Sequence, residues 1–404
     1  MQTLFENTEK AFSLKTDSQL KRAHLLFRMI ANRPLVSLGT AITNFAIKGN
    51  LPVERLIRST VFDHFCGGIH EQDCMPIIER MHEKGVNAIL DYSVEGKETE
   101  IQFDLAKDKV LQVLDFAREN RAVPFAVFKP TAFGRTLLYQ KVSANQCLDR
   151  DEQSEWERIE NRFNEVCKRA CELDVGLLID AEESWLQDAA DNLVVKMMSV
   201  YNKEQAVVFN TAQMYRWDRL DYLKGLAEQA RSENFKVGIK LVRGAYMEKE
   251  SERAHQLGYR NPICESKEAT DINFNAGVDF MMHHLEIFSI FLGTHNEKST
   301  YKLIEMMDKM NIAHNDPRIW FGQLYGMSDN ISYNLAEAQF LVAKYLPYGP
   351  VRDVMPYLIR RAEENTSVSG QTTRELFLIR KEIQRRKQVV VRDKGRARAG
   401  IIPC

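Results

Sequence analysis

The chain has 404 residues, 44% hydrophobic and 27% charged, with a net charge of −1. That suits a globular protein with a sizeable core, either two average domains or one α/β barrel with an appendage. No apolar run reaches the roughly 18–20 residues that span a bilayer, and the balanced charge gives no global pull towards nucleic acid.

Residues 1–18 carry Glu6, Glu9 and Asp17. They lack the apolar core of a signal peptide and the Arg-rich, acid-poor character of a transit peptide, so a cytoplasmic protein is expected. Helical spacing follows in Leu20, Ala23, Leu26, Met29 and Ile30, and again in Val36, Ala41, Ile42, Phe45 and Ala46. Gly49-Asn50 and Gly67-Gly68 punctuate this stretch. Residues 1–85 therefore read as an N-terminal helical arm.

The pattern then changes. Short apolar runs at 87–92, 124–128, 175–179, 206–209, 237–242, 287–292, 318–323 and 341–346 alternate with amphipathic stretches such as 151–173 and 185–201. Strand and helix alternating eight times is the sequence form of a (β/α)8 TIM-type barrel, expected here over 86–372. The runs are near-continuously apolar, as strands buried on both faces are. A doubly wound open sheet gives similar alternation. The polar residues that finish the runs favour the barrel, where they would converge on one mouth. They are Asp91 and Glu95, Lys129 and Thr131, Asp180 and Glu182, Asn210 and Gln213, Arg243 and Tyr246, Thr294-His295-Asn296, Tyr325 and Tyr345.

Arg360 and Arg361 are adjacent, with Glu364 following. On a helix one of them can face a pocket while the other lies about 100° round. A guanidinium fork suits a carboxylate. A solvated helix face with an intrahelical ion pair is the plain alternative. Lys129 and Asp180 end neighbouring runs and can pair, either to aim the lysine at an anion or as a rim salt bridge. Nine His occur without His-x-x-x-His spacing or a carboxylate cluster, so no metal site is expected. The seven Cys include no Cys-x-x-Cys and read as ordinary thiols. Gly-x-Ser-x-Gly and Gly-x-Gly-x-x-Gly are both absent, which removes the hydrolase elbow and the Rossmann unit. Residues 373–404 form a C-terminal helical, basic tail with Arg380, Lys381, Arg385, Arg386, Lys387, Arg392, Lys394, Arg396 and Arg398. Such a tail can touch anionic lipid or nucleic acid, or be a solvated end.

The strand-end motifs taken together resemble the proline dehydrogenase family. In order they are Asp91-Tyr92-Ser93-Val94-Glu95, Lys129-Pro130-Thr131-Ala132, Asp180-Ala181-Glu182, Asn210-Thr211-Ala212-Gln213, Lys240-Leu241-Val242-Arg243-Gly244-Ala245-Tyr246, Thr294-His295-Asn296, Gln323-Leu324-Tyr325-Gly326-Met327, Tyr345-Leu346-Pro347-Tyr348-Gly349 and the Arg360-Arg361 helix with Glu364-Asn365. The resemblance implies a (β/α)8 barrel that oxidises L-proline to Δ1-pyrroline-5-carboxylate with FAD and passes the electrons to a quinone. It implies that Arg360, Arg361 and Lys129 hold the proline carboxylate. Tyr246, Leu324 and Tyr345 would pack on the apolar ring, and Asp180 would buttress the lysine. Implied flavin contacts are Gln213, Arg243, Gly244, Ala245, Tyr246, Thr270, Thr294, His295, Asn296 and Glu364.

Two positions depart from the family pattern. Some members read Arg-Leu-Val-Lys where this chain reads Lys240-Leu241-Val242-Arg243, which changes the flavin contact expected from position 240. Some carry a flavin-touching Gln at Gly322. Glu95 is expected to clasp Arg360 as a gate when the site is empty. Tyr345 favours proline, because related hydroxyproline dehydrogenases carry a small residue there. Hydroxyproline oxidation and a non-catalytic flavin- or amino-acid-binding barrel are the alternatives. The quinone makes anionic lipid the preferred partner of the tail, giving a cytoplasmic protein with peripheral contact at the inner face of the membrane and no nucleic acid. Longer bifunctional relatives carry further domains that do not fit in 404 residues, so oxidation of the pyrroline product is not expected.

Overall fold

Short apolar strands, each followed by an amphipathic helix, can bury both faces by curling into a barrel, and that is the architecture found in the computed structural model. It describes residues 3–32, 34, 36, 58–92, 98–367 and 371–398, without the side chains of 59, 362–367, 371, 390 and 392–398. Helices α1 (Asp17–Ile30) and α2 (Glu71–His82) precede β1 (Val86–Tyr92). There follow α3 (Glu100–Glu119), β2 (Phe125–Phe128), α4 (Thr136–Ser143), α5 (Arg150–Leu173), β3 (Gly176–Ile179), α6 (Ser184–Tyr201), β4 (Val208–Gln213) and α7 (Arg219–Glu233). The second half adds β5 (Val237–Val242), α8 (Met247–Leu257), α9 (Lys267–His283), β6 (Phe288–Gly293), α10 (Glu297–Lys309), β7 (Ile319–Leu324), α11 (Asp329–Glu337) and β8 (Val342–Tyr348). Helices α12 (Met355–Ser367) and α13 (Gln371–Arg398) close the described chain.

The strands pair in sequence order, and β1 meets β8 in parallel from Val86↔Val342 to Tyr92↔Tyr348. That closure decides between barrel and open sheet. β4 begins and ends later than its apolar run. Its buried Asn210, Thr211 and Gln213 are strand residues because each finds a partner. Thr211 Oγ1 donates to the Ile179 carbonyl at 2.7 Å, Asn210 Nδ2 to Asp191 at 2.7 Å, and Gln213 Nε2 to the Glu182 carbonyl at 2.7 Å.

Aromatic rings fill the barrel interior. Phe125 meets Phe209, Phe291 and Trp320 edge-on, at centroid distances of 5.7, 5.5 and 5.1 Å. Small neighbours make the room. A Cβ on Gly322 would lie 2.2 Å from the Phe291 ring, so the missing Gln at this position has a packing cause. Gly322→Gln is expected to lower stability by about 1–3 kcal/mol in urea unfolding. Adding Phe291→Leu should return part of that loss.

The arm and the tail pack on each other. Thr16 and Gln19 form a capping box that starts α1. Leu20, Ala23, Phe27 and Ile30 then share one cluster with Tyr357 and Leu358 of α12 and Leu378 and Ile379 of α13. Ionic contacts flank it. Arg374 donates to Glu6 and Glu297, Lys381 to Glu6 at 3.0 Å, and Arg386 to Asp17 at 2.8 Å. Buried Glu382 pairs with Arg385 and Arg386. This corrects the picture of a solvated basic end: Lys381, Arg385 and Arg386 are used in docking. Among the described residues no helix is long and apolar enough to cross a membrane, and no group of three His, Cys, Asp or Glu could hold a metal.

Candidate active site

One cavity of about 360 Å³ at the barrel mouth is lined by Asp91, Lys129, Glu182, Tyr246, Lys249 and Arg360, among others. Each arrives by a local device. Lys129 follows β2 and precedes a single 3₁₀ turn, Pro130–Ala132, which Pro130 starts at its first position. Glu182, just past β3, grips that turn by accepting the Thr131 N–H at 2.9 Å and the Thr131 hydroxyl at 2.7 Å. Burial pushes the Glu182 carboxyl up to about 7, against the opposing pull of Lys129 and the Thr131 bonds. Tyr246 sits at the start of α8, reached through Gly244 at φ +133°. A side chain at 244 would collide with the Tyr215 ring, its Cβ 2.5 Å away.

The two arginines divide as helical geometry requires. Arg360 lines the cavity. Arg361 is buried, with its guanidinium 5.2 Å from the Tyr357 ring centre. Its charge also bears on His295.

Lys240 is buried. Strand alternation turns it into the barrel, where Nζ pairs with Asp180 and donates to the Tyr345 hydroxyl at 2.9 Å. The same ammonium lies 4.8 Å from the Tyr345 ring centre. Asp180 thus pairs with Lys240, the lysine that departs from the family pattern. Leu324 stands beside Tyr345 in register and packs on the same interior cluster.

The remaining predicted residues form a rim over β4 to β7. Gln213 Oε1 accepts the Ala245 N–H at 3.3 Å. Arg243 donates to Asp271 at 2.7 Å, Thr294 Oγ1 at 2.9 Å and Ser299 Oγ at 3.0 Å, and lies 4.3 Å from the Phe274 ring centre. Asn296 caps α10 through the Ser299 N–H at 3.1 Å. His295 Nδ1 meets Ser328 Oγ at 2.9 Å. Thr270 gives its hydroxyl to the Ser266 carbonyl within the first turn of α9. Glu95, its clasp with Arg360, and the side chain of Glu364 lie outside the described residues. Sequence reasoning gave no role to Glu182, Asp271 or Ser328. Only Glu182 had a signal, as an acid two residues after Asp180 in a strand-end motif.

Burial, with the charges of Lys344 and Arg361, lowers His295 to about 3, and burial with Lys15 lowers His64 to about 3. An unfolded histidine titrates near 6.5. Below that pH the unfolded chain binds protons the folded one refuses, so this stability is complete above about 6.5 and declines towards pH 3. Both rings keep some solvent contact, so the slope should stay under about 1.4 kcal/mol per pH unit for each histidine. Urea unfolding from pH 7 to 4 should show the decline, and His64→Gln should flatten it.

A closed parallel barrel with cations, tyrosines and a buried acid gathered at one mouth has the layout of a TIM-type barrel enzyme. The sequence model of the family described as proline dehydrogenase matches residues 74–374. The chain is 36% identical over 365 residues to the carbapenem antibiotics biosynthesis protein CarD of Pectobacterium carotovorum, across 90% of this chain and 94% of that protein. It is 30% identical over 379 residues to proline dehydrogenase 1, mitochondrial, of Dictyostelium discoideum, across 83% of this chain and 66% of that one. Its fold is similar to that of proline utilization A from Bdellovibrio bacteriovorus, with a TM-score of 0.70 at 19% identity, over 91% of this chain and 37% of that one. The chain belongs to the proline dehydrogenase family, and is an oxidoreductase.

Proposed function

We propose that the chain oxidises L-proline to Δ1-pyrroline-5-carboxylate with FAD as the hydride acceptor and a quinone as the next electron acceptor. The observation that carries this reading is the cavity holding Lys129, Arg360 and Tyr246 together. Two cations suit the carboxylate of a compact zwitterion, and a tyrosine ring suits its methylenes. Tyr345, fixed by Lys240, adds a second ring nearby. The rim suits a flavin dinucleotide without a Rossmann unit. Arg243 is held by three partners, and the N-terminus of α10 opens at the same mouth, where helix N–H groups favour anions. FAD bound at this rim would supply the hydride acceptor for the ring carbon beside nitrogen, and the nitrogen would release its proton to solvent as the C=N bond forms. The role of the protein is to fix the carboxylate, wall the ring and exclude water.

Anaerobic addition of L-proline to the flavin-loaded protein should bleach the visible flavin band. A band that persists would leave a binding barrel without turnover and overturn the enzyme reading. Tyr345→Ser removes bulk and opens room for a hydroxyl, so the kcat/KM ratio of hydroxyproline to proline should rise about tenfold or more. An unchanged ratio would count against Tyr345 as the selecting residue. We also propose a cytoplasmic location with peripheral membrane contact, for which Arg392, Lys394, Arg396 and Arg398 are the candidates. Flotation with anionic vesicles, lost on replacing these four with Gln, is the expected result.

A further inference from the structure

Ser328 joins the last helix to the rim of the barrel. Its backbone stands at φ +50°, a left-handed conformation uncommon for serine. Two contacts hold it there. Glu375 of α13 accepts its backbone N–H, and its hydroxyl meets His295 Nδ1. Ser328 and Glu375 are both buried. The turn is braced from behind, since Ser332 Oγ donates to Gln323 Oε1 at 2.8 Å and Gln323 Nε2 donates to the Thr294 carbonyl at 3.1 Å. Helix α13 already docks through its apolar cluster and through Arg374, Lys381 and Arg386, so a buried carboxyl is a costly addition that docking alone does not require. Its one directed bond goes to the residue that orients His295. Burial and the charge of Asp329 raise Glu375 to about 7, against the opposing pull of the Ser328 N–H, Lys344 and Lys15.

We propose that Glu375 is a positioning residue for His295: by fixing the Ser328 turn from outside the barrel, it orients the imidazole and commits Nδ1, leaving Nε2 for a ligand at the mouth. One of the two readouts below rests on the flavin reading; the other does not.

The first readout is the ring 15N shift of His295 in flavin-free protein, assigned by His295→Gln. The second is the dissociation constant for FAD. Glu375→Ala should move the His295 signals and weaken FAD about tenfold or more, as loss of an orienting partner does at metal sites. Glu375→Gln keeps a carbonyl acceptor and should stay within about threefold. Ser328→Ala removes only the hydroxyl and should move the His295 signals while leaving the fold intact, which keeps the idea testable if Glu375→Ala does not fold. Arg374→Ala is the control, because Arg374 docks the same helix through Glu6 and Glu297 rather than through Ser328. It should lower Tm and leave both readouts alone. If Glu375→Ala matches Arg374→Ala in the His295 shifts, or Ser328→Ala leaves them unmoved, the proposal is overturned. If the wild type binds no FAD, the flavin reading fails while the His295 shifts still decide this one.

Discussion

Lys129→Met is expected to raise the KM for L-proline about 10- to 150-fold with a smaller change in kcat, since a charge-assisted bond to a carboxylate contributes about 1.5–3 kcal/mol. The carboxylate does not change during hydride loss, so its contacts are shared by ground and transition states, and the loss falls mainly on KM. Methionine keeps the length and removes the charge. Pyrrolidine, which lacks the carboxylate, gives the check: its kcat/KM should be nearly indifferent to the substitution, so the ratio of proline to pyrrolidine falls. Equal losses for both substrates would place Lys129 elsewhere than at the carboxylate. The substitution should leave Tm nearly unchanged, because Lys129 lines a cavity rather than the core.

Asp329→Asn should have the largest effect on stability. Its carboxylate bridges Lys344 at 2.8 Å and Lys15 at 3.1 Å, and the Lys344 side chain is 0% exposed. Burial alone would raise the Asp329 carboxyl, yet the two lysines hold it well below the usual carboxylate range. Neutralising it leaves two cations facing each other in a low dielectric, at a cost of about 3–5 kcal/mol. Lys344 retains only carbonyl partners, chiefly Met327 at 2.7 Å. Adding Lys344→Met should recover part of the loss, because it removes the charge left unpaired. Equilibrium urea unfolding of the single and double variants decides this, and additive losses would contradict the bridge.

The barrel was legible because strands buried on both faces are apolar runs, and eight of them are hard to mistake. Lys129 was legible as a strand-end residue and Arg360 as a cation on a helix. What the sequence hid were partnerships across distance. Lys240 reads as a rim contact, but its partners stand 60 and 105 residues away, and register alone turns it inward opposite Phe291. Lys15, Asp329 and Lys344 drew no expectation, because nothing local marks a charge as buried. Glu375 sits in a run that reads as a basic tail, since its contact with Ser328 spans 47 residues. Polar strand residues such as Asn210 were missed because apolarity was the strand signal and their hydrogen-bond partners lie on other elements.

The contact between Arg386 and Asp17 spans 369 residues. A ribosome adding about 5–20 residues per second needs roughly 20–70 s to separate the birth of those two partners. Throughout that interval Leu20, Ala23, Phe27 and Ile30 have made their apolar face but lack Leu378 and Ile379 to cover it. The nascent chain thus carries a sticky helix face until α13 has been made. Yield of folded protein should therefore depend on holdase chaperones acting on the first helix, well before any barrel strand can pair with its neighbour.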